Sequence, residues 1–121
     1  MTYKEIKLSF FKDGIRSKKI FHGMKLYSHT IKSMNGQWLV SRRVYLTEKG
    51  NYVYYERRDV NWHYWDGEQE GLSFDPSQTD ENNIFEVASD LEAFAKYLGE
   101  DIIEKLAVKV QNGEIIEYLD I

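Results

Sequence analysis

The sequence of 121 residues predicts an α+β fold: an antiparallel β-meander of four to six strands, two C-terminal helices packed on one face, and a short C-terminal strand. Three observations predict it. Residues 37–58 alternate β-branched and aromatic residues with polar ones on both sides of Glu48-Lys49-Gly50, the pattern of a three-residue hairpin whose glycine turns left-handed. Asn35-Gly36 is a strong two-residue hairpin signal and adds a further strand beside the first of these. Residues 91–110 abandon the period of two for helical spacing.

In residues 3–11, Ile6, Leu8 and Phe10 face one way and Tyr3, Glu5, Lys7 and Ser9 the other, a half-buried strand that Lys12-Asp13-Gly14 ends. Ile15–Ile20 reads as a short basic segment. Phe21–Ser33 reads as a longer strand carrying Met24, Leu26, Tyr27 and Ile31. Pairing through Asn35-Gly36 sets Ile31 opposite Val40 and Tyr27 opposite Val44. In the next hairpin Thr47 faces Asn51, so Leu46 meets Tyr52, Val44 meets Tyr54 and Arg42 meets Glu56. Trp38, Val40, Val44, Leu46, Tyr52 and Tyr54 then share one face, the expected core. Ser41, Arg43, Tyr45, Val53, Tyr55 and Arg57 share the other, which reads as a mixed aromatic and basic surface.

Asn61–Asp66 (NWHYWD) reads as a further short strand or an aromatic loop under the sheet. The single domain thus divides into a sheet over 1–66, an acidic surface loop over 67–83, and an edge strand, helical pair and terminal strand over 84–121. Ser89-Asp90-Leu91-Glu92 fits a capping box. Leu91, Phe94, Ala95 and Leu98 follow at helical spacing and Gly99 caps them. Glu100-Asp101 opens a second helix with Ile102, Ile103, Leu106, Ala107 and Val110 on its apolar face, and Asn112-Gly113 stops it. Residues 114–121 alternate apolar and acidic side chains.

Composition narrows the function. Hydrophobic residues at 42% with 15% aromatics exclude disorder, and the absence of cysteine excludes disulfides, thiolate metal sites and cysteine nucleophiles. No apolar run reaches membrane-spanning length and the first residues lack a signal-peptide pattern, so a soluble cytoplasmic protein is expected. Residues 1–60 hold 13 Lys/Arg against 5 Asp/Glu, and residues 61–121 hold 3 against 15. Two halves of opposite charge either neutralise each other, within one chain or across a homodimer, or leave a basic surface for a partner.

The last five residues, Glu117-Tyr118-Leu119-Asp120-Ile121, match the terminal signature of the EXLDI family of small, mainly bacterial proteins. Val44-Tyr45-Leu46-Thr47 with Gly50, then Asn61-Trp62 and Trp65, then a helical pair, follow that family's order, so residues 20–121 resemble it. The resemblance implies no activity, since the family is named for its terminus. Longer relatives carry an N-terminal segment like a ribbon-helix-helix DNA-binding element, whereas residues 1–19 here read as a strand and a basic turn.

Four constellations are candidates for chemistry. Trp62, His63, Tyr64 and Trp65 are candidates to line a small-ligand or hydrolase pocket between sheet and helices. Arg43, Tyr45, Lys49, Tyr55, Arg57 and Arg58 supply the cations and rings of a nucleic-acid surface, provided they form one exposed stripe. Glu117, Tyr118, Leu119, Asp120 and Ile121 can dock on a partner as an added strand, or close the domain's own sheet beside the N-terminal strand. Asp66-x-Glu68-x-Glu70-Gly71 echoes a calcium loop but meets Ser77 where a bidentate glutamate is required. His22, His29 and His63 lack metal-ligand spacing, and no nucleophile elbow, phosphate loop or dinucleotide fingerprint is present. The reading that follows is a non-enzymatic binding or interaction module, regulatory in character and homodimeric, with no cofactor or metal. A ligand-binding protein or hydrolase is the first alternative and nucleic-acid binding the second.

Overall fold

The computed structural model describes residues 3–33, 36, 38–60, 83–113 and 116–119. The elements are β1 (Lys4–Lys12), β2 (Ile15–Ser33), β3 (Trp38–Thr47), β4 (Tyr52–Val60), β5 (Ile84–Ala88), a 3-10 turn (Leu91–Phe94), α1 (Ala95–Leu98), α2 (Glu100–Asn112) and β6 (Ile116–Leu119). The first five strands form an antiparallel sheet in sequence order, and β6 joins β2 in parallel. The predicted α+β meander is the observed fold.

The hairpin registers follow from the turns. Asp13 and Gly14 both take positive φ, 52° and 81°, the two-residue geometry whose twist matches antiparallel strands. Gly50 takes φ 89° after Glu48-Lys49, while Thr47 donates its N–H to the Asn51 carbonyl at 2.7 Å. Val44 then meets Tyr54, Leu46 meets Tyr52, and across the other edge of β3 Tyr27 meets Val44 and Ile31 meets Val40, all as expected.

β2 differs from expectation. Ile15–Ser33 is one strand, not a basic segment followed by a strand. Its first part pairs with β1 as far as Gly23, and from Gly23 onward it pairs with β3. Arg16 and Lys18 are exposed in the part paired with β1, where their charge costs nothing in core packing, and Lys19 is half-buried over the Phe10 and Phe85 rings. Gly23 is the pivot: a Cβ there lies 2.7 Å from the Leu46 carbonyl oxygen and 3.0 Å from the Phe21 ring. Between Lys25 and Tyr27 the register slips by one, so Leu26 and Tyr27 both enter the same core.

The sheet buries both of its faces. On one, Met24, Leu26, Tyr27, Val44 and Tyr54 pack under Leu91, Phe94, Leu98, Ile103 and Leu106. Tyr97 stacks on Tyr54 with ring centroids 4.2 Å apart, and Phe94 tilts against Tyr54 at 5.7 Å. On the other, Ile6, Leu8, Tyr45, Val53 and Tyr55 form a second core with Phe21 and Phe85. This corrects the expected aromatic and basic surface: Tyr45 is 3% exposed and Tyr55 1%. The sheet curls until the outer edge of β1 meets the start of β5. There the Asn83 N–H donates to the Phe11 carbonyl at 2.7 Å, and the Phe11 N–H donates to Asn83 Oδ1 at 2.8 Å. The Tyr55 hydroxyl donates to the Ser9 carbonyl inside the curl. Burial of each such side chain contributes about 1.5–3 kcal/mol.

The helical segment begins differently from its sequence signal. Ser89-Asp90-Leu91-Glu92 forms no capping box: Asp90 holds the N-cap position without a side-chain cap, and the first turn is 3-10. Glu92 stands beside the Glu100 carboxylate, which raises its pKa. Gly99, at φ 85°, breaks the helices apart, and Gly113 ends α2 in the left-handed region with its N–H reaching the Lys109 and Val110 carbonyls. Ile103 and Leu106 are buried as expected, whereas Ala107 is exposed. β6 lies against β2 at Tyr27–Thr30, not beside β1. β1 leaves that edge of β2 at Gly23, and β6 occupies the length beyond.

Candidate functional site

Where the curl brings β1 back towards β4, it leaves a cleft of about 870 Å³. Its walls are β1 at residues 9–11, β2 at 16–18, β4 at 57–59, and Asn83 at the start of β5. The Asp13-Gly14 turn sets Phe11 opposite Arg16 and Ser9 opposite Lys18, so both cations rise from the ribbon on one face. β5 pairs with β4 only as far as Glu56, and Arg57, Arg58 and Asp59 continue beyond it into the cleft. Asn83 holds the two walls together through its paired bonds to Phe11.

The electrostatics are one-sided. Arg16, Lys18, Arg57 and Arg58 line the cleft with Asp59 as its one carboxylate among the described residues. Arg57 Nε donates to Asp59 Oδ1 at 2.9 Å, and that bond raises the guanidinium's pKa and holds it in place. The Arg16 guanidinium lies 5.2 Å from the Phe11 ring centroid. Lys19 sits 4.8 Å from the Phe10 centroid and 5.5 Å from that of Phe85. Cations over aromatic faces keep their charge while their stems are held against apolar surface.

The predicted site residues scatter. Arg57 and Arg58 enter the cleft, but Lys49 is at the β3–β4 turn, the opposite end of β4, roughly 20 Å away at strand rise. Arg43 lies over the Tyr55 ring at 6.0 Å, and Tyr45 and Tyr55 are core. The expected single stripe is therefore not formed. Trp62, His63, Tyr64 and Trp65, and the calcium-loop echo over 66–77, lie outside the described residues. Of the acidic loop, Asn83 alone is described, and it belongs to the wall of the cleft. Glu117, Tyr118 and Leu119 are in β6, opposite Ser28, His29 and Thr30; Asp120 and Ile121 lie outside the described residues. His22 is 3.9 Å from Glu48, and His29 accepts or donates a 3.3 Å bond with the Tyr27 hydroxyl. Arg16, Lys18 and Asn83 were missed by sequence reasoning. The Asp13-Gly14 turn was the signal that could have set Arg16 and Lys18 on one face.

Two further polar features frame the helix-side core. The Tyr54 hydroxyl donates to Glu56 Oε1 at 2.7 Å, and Arg42 Nε is 3.4 Å from the same oxygen. Lys96 meets Glu86 at 2.9 Å, holding that carboxyl's pKa below its ordinary value, and the Tyr97 hydroxyl donates to the same Glu86 oxygen. The ion pairs Lys7–Glu5, His22–Glu48, Arg42–Glu56 and Arg57–Asp59 lie within the basic half of the chain, and Lys96–Glu86 within the acidic half.

Burial raises the phenol pKa of Tyr54, Tyr55 and Tyr97, with Glu56 adding to the effect at Tyr54 and Glu86 at Tyr97. A raised folded-state pKa gives stability that is complete below the unfolded value of about 10 and is lost as pH rises above it. Absorbance of ionised tyrosine at 295 nm and far-UV circular dichroism should therefore change together above about pH 10 for these three residues. Full ionisation with the fold intact would contradict their burial.

Comparison with protein-family models, with curated proteins and with solved structures gives no match. Among the described residues no helix is long and apolar enough to cross a membrane.

Proposed function

We propose that the chain is a non-enzymatic binding module that takes an anionic partner in the cleft between β1 and β4. The observation that carries this reading is the convergence of Arg16 and Lys18 with Arg57 and Arg58 on one open cleft. These cations come from distant strands, and a folded chain gathers like charges at a cost unless an opposite charge answers them. The cleft's volume falls within the range of about 300–1,000 Å³ typical of ligand sites. A homodimer is part of this reading; Ile15 and Ile20, 70% and 59% exposed, stand on opposite faces of β2, so two copies would cover one or the other.

Retention on an immobilised sulfated polysaccharide tests the reading. The doubly substituted Lys18→Glu, Arg58→Glu chain should elute at clearly lower salt than the parent, while Lys49→Glu should elute close to it. Equal elution of the parent and the double variant would sink the proposal. Sedimentation of the same samples reports whether two copies associate.

A further inference from the structure

We infer that the anionic partner is single-stranded nucleic acid, lying along the cleft with phosphates on Arg16, Lys18 and Arg58 and an unpaired base against Phe11. The inference rests on the anionic-partner reading and adds the partner's chemistry. Charge alone does not separate a nucleic acid from an acidic peptide, since both answer Arg16, Lys18, Arg57 and Arg58. The ring does. Phe11 is half-buried and lines the cleft on the strand face that carries Arg16 and Lys18, so the basic wall offers a π-face as well as charge. Arg16 over Phe11 adds a guanidinium plane, which itself stacks on bases. An acidic peptide brings a ring only where it carries an aromatic residue, whereas every nucleotide carries one, and stacking of this kind is available to any base sequence. A duplex hides its bases, so the same surface discriminates against it.

Arg57 is already answered by Asp59 at 2.9 Å and acts as a fixed edge of the cleft. The phosphate contacts then number about three, which for a single strand gives a salt slope of roughly −2. The chain's net charge of −4 does not oppose this at short range, because exposed charges are screened beyond about 8–10 Å at physiological salt.

Fluorescence anisotropy of a labelled oligothymidylate with the full chain tests it, with the matching duplex and polyglutamate as parallel probes. Affinity for the single strand should fall roughly 20-fold between about 50 and 200 mM salt. Arg58→Gln should flatten the slope by about 0.7, and Phe11→Leu, which keeps apolar bulk, should weaken binding at least about fivefold without changing the slope. Lys49→Gln serves as the folded control. Tighter or equal binding of polyglutamate would overturn the nucleic-acid inference and leave the anionic-partner reading intact. Equal affinity for the duplex would overturn it through the stacking claim. Binding of none of the three probes would remove both.

Discussion

Phe94→Ala is expected to cost about 3–5 kcal/mol, a large share of the stability of a domain this size. Phe94 is fully buried, packs against Tyr54 at 5.7 Å, and belongs to the turn that carries the helices onto the sheet. Truncation removes the ring and leaves a cavity that the neighbours can fill only by moving. On the sheet side Tyr54 is fixed by its bond to Glu56 and by stacking on Tyr97; on the helix side Gly99 separates α1 from α2. Little collapse is available, so the cost should lie towards the upper part of that range. A fall in the denaturant midpoint with an unchanged slope is the expected signature. A loss below about 1 kcal/mol would show that Phe94 does not seat the helices on the sheet.

Gly23→Ala should also destabilise the fold, although it adds a single methyl group. The new Cβ meets a backbone oxygen at 2.7 Å, and the Phe21 ring on its other side belongs to the second core. A flexible side chain could give way; the Leu46 carbonyl cannot without shifting β3. Overpacking of this kind costs about 1–3 kcal/mol, and here it falls where β2 exchanges one partner strand for another. Gly23→Val should prevent the pairing of Gly23 with Thr47, and amide exchange at Met24 and Lys25 should accelerate more than exchange in α2. Uniform acceleration across the chain would instead indicate general destabilisation.

Much of the fold was legible because its turns are specified locally. In the sequence Asn35-Gly36 and Glu48-Lys49-Gly50 each imply a register, and Val44 shows the result by meeting Tyr27 on one side and Tyr54 on the other. The second core was not legible. Tyr45, Val53 and Tyr55 alternate with the same regularity as surface residues, beside Arg43 and Arg57, and their burial depends on a curl produced by contacts such as Phe11 with Asn83, far apart in sequence. The cleft shares that origin. Arg57-Arg58 is visible as a basic pair, but nothing local places it near Arg16 and Lys18. The capping box failed for a nearer reason: the first turn tightens to 3-10, and its N-cap residue Asp90 makes no side-chain cap bond.

The parallel seam between β2 and β6 has a consequence for the order of events on the ribosome. Each antiparallel hairpin can close soon after its second strand emerges, because the partners are neighbours in the sequence. Tyr27 must wait for Ile116. Until then the stretch Tyr27–Thr30 offers an open sheet edge to any passing extended chain, the hazard that long-range pairing imposes during synthesis. Pulse-labelled exchange during refolding should find backbone protection on the β6-facing side of Tyr27–Thr30 arriving last, after the meander is complete.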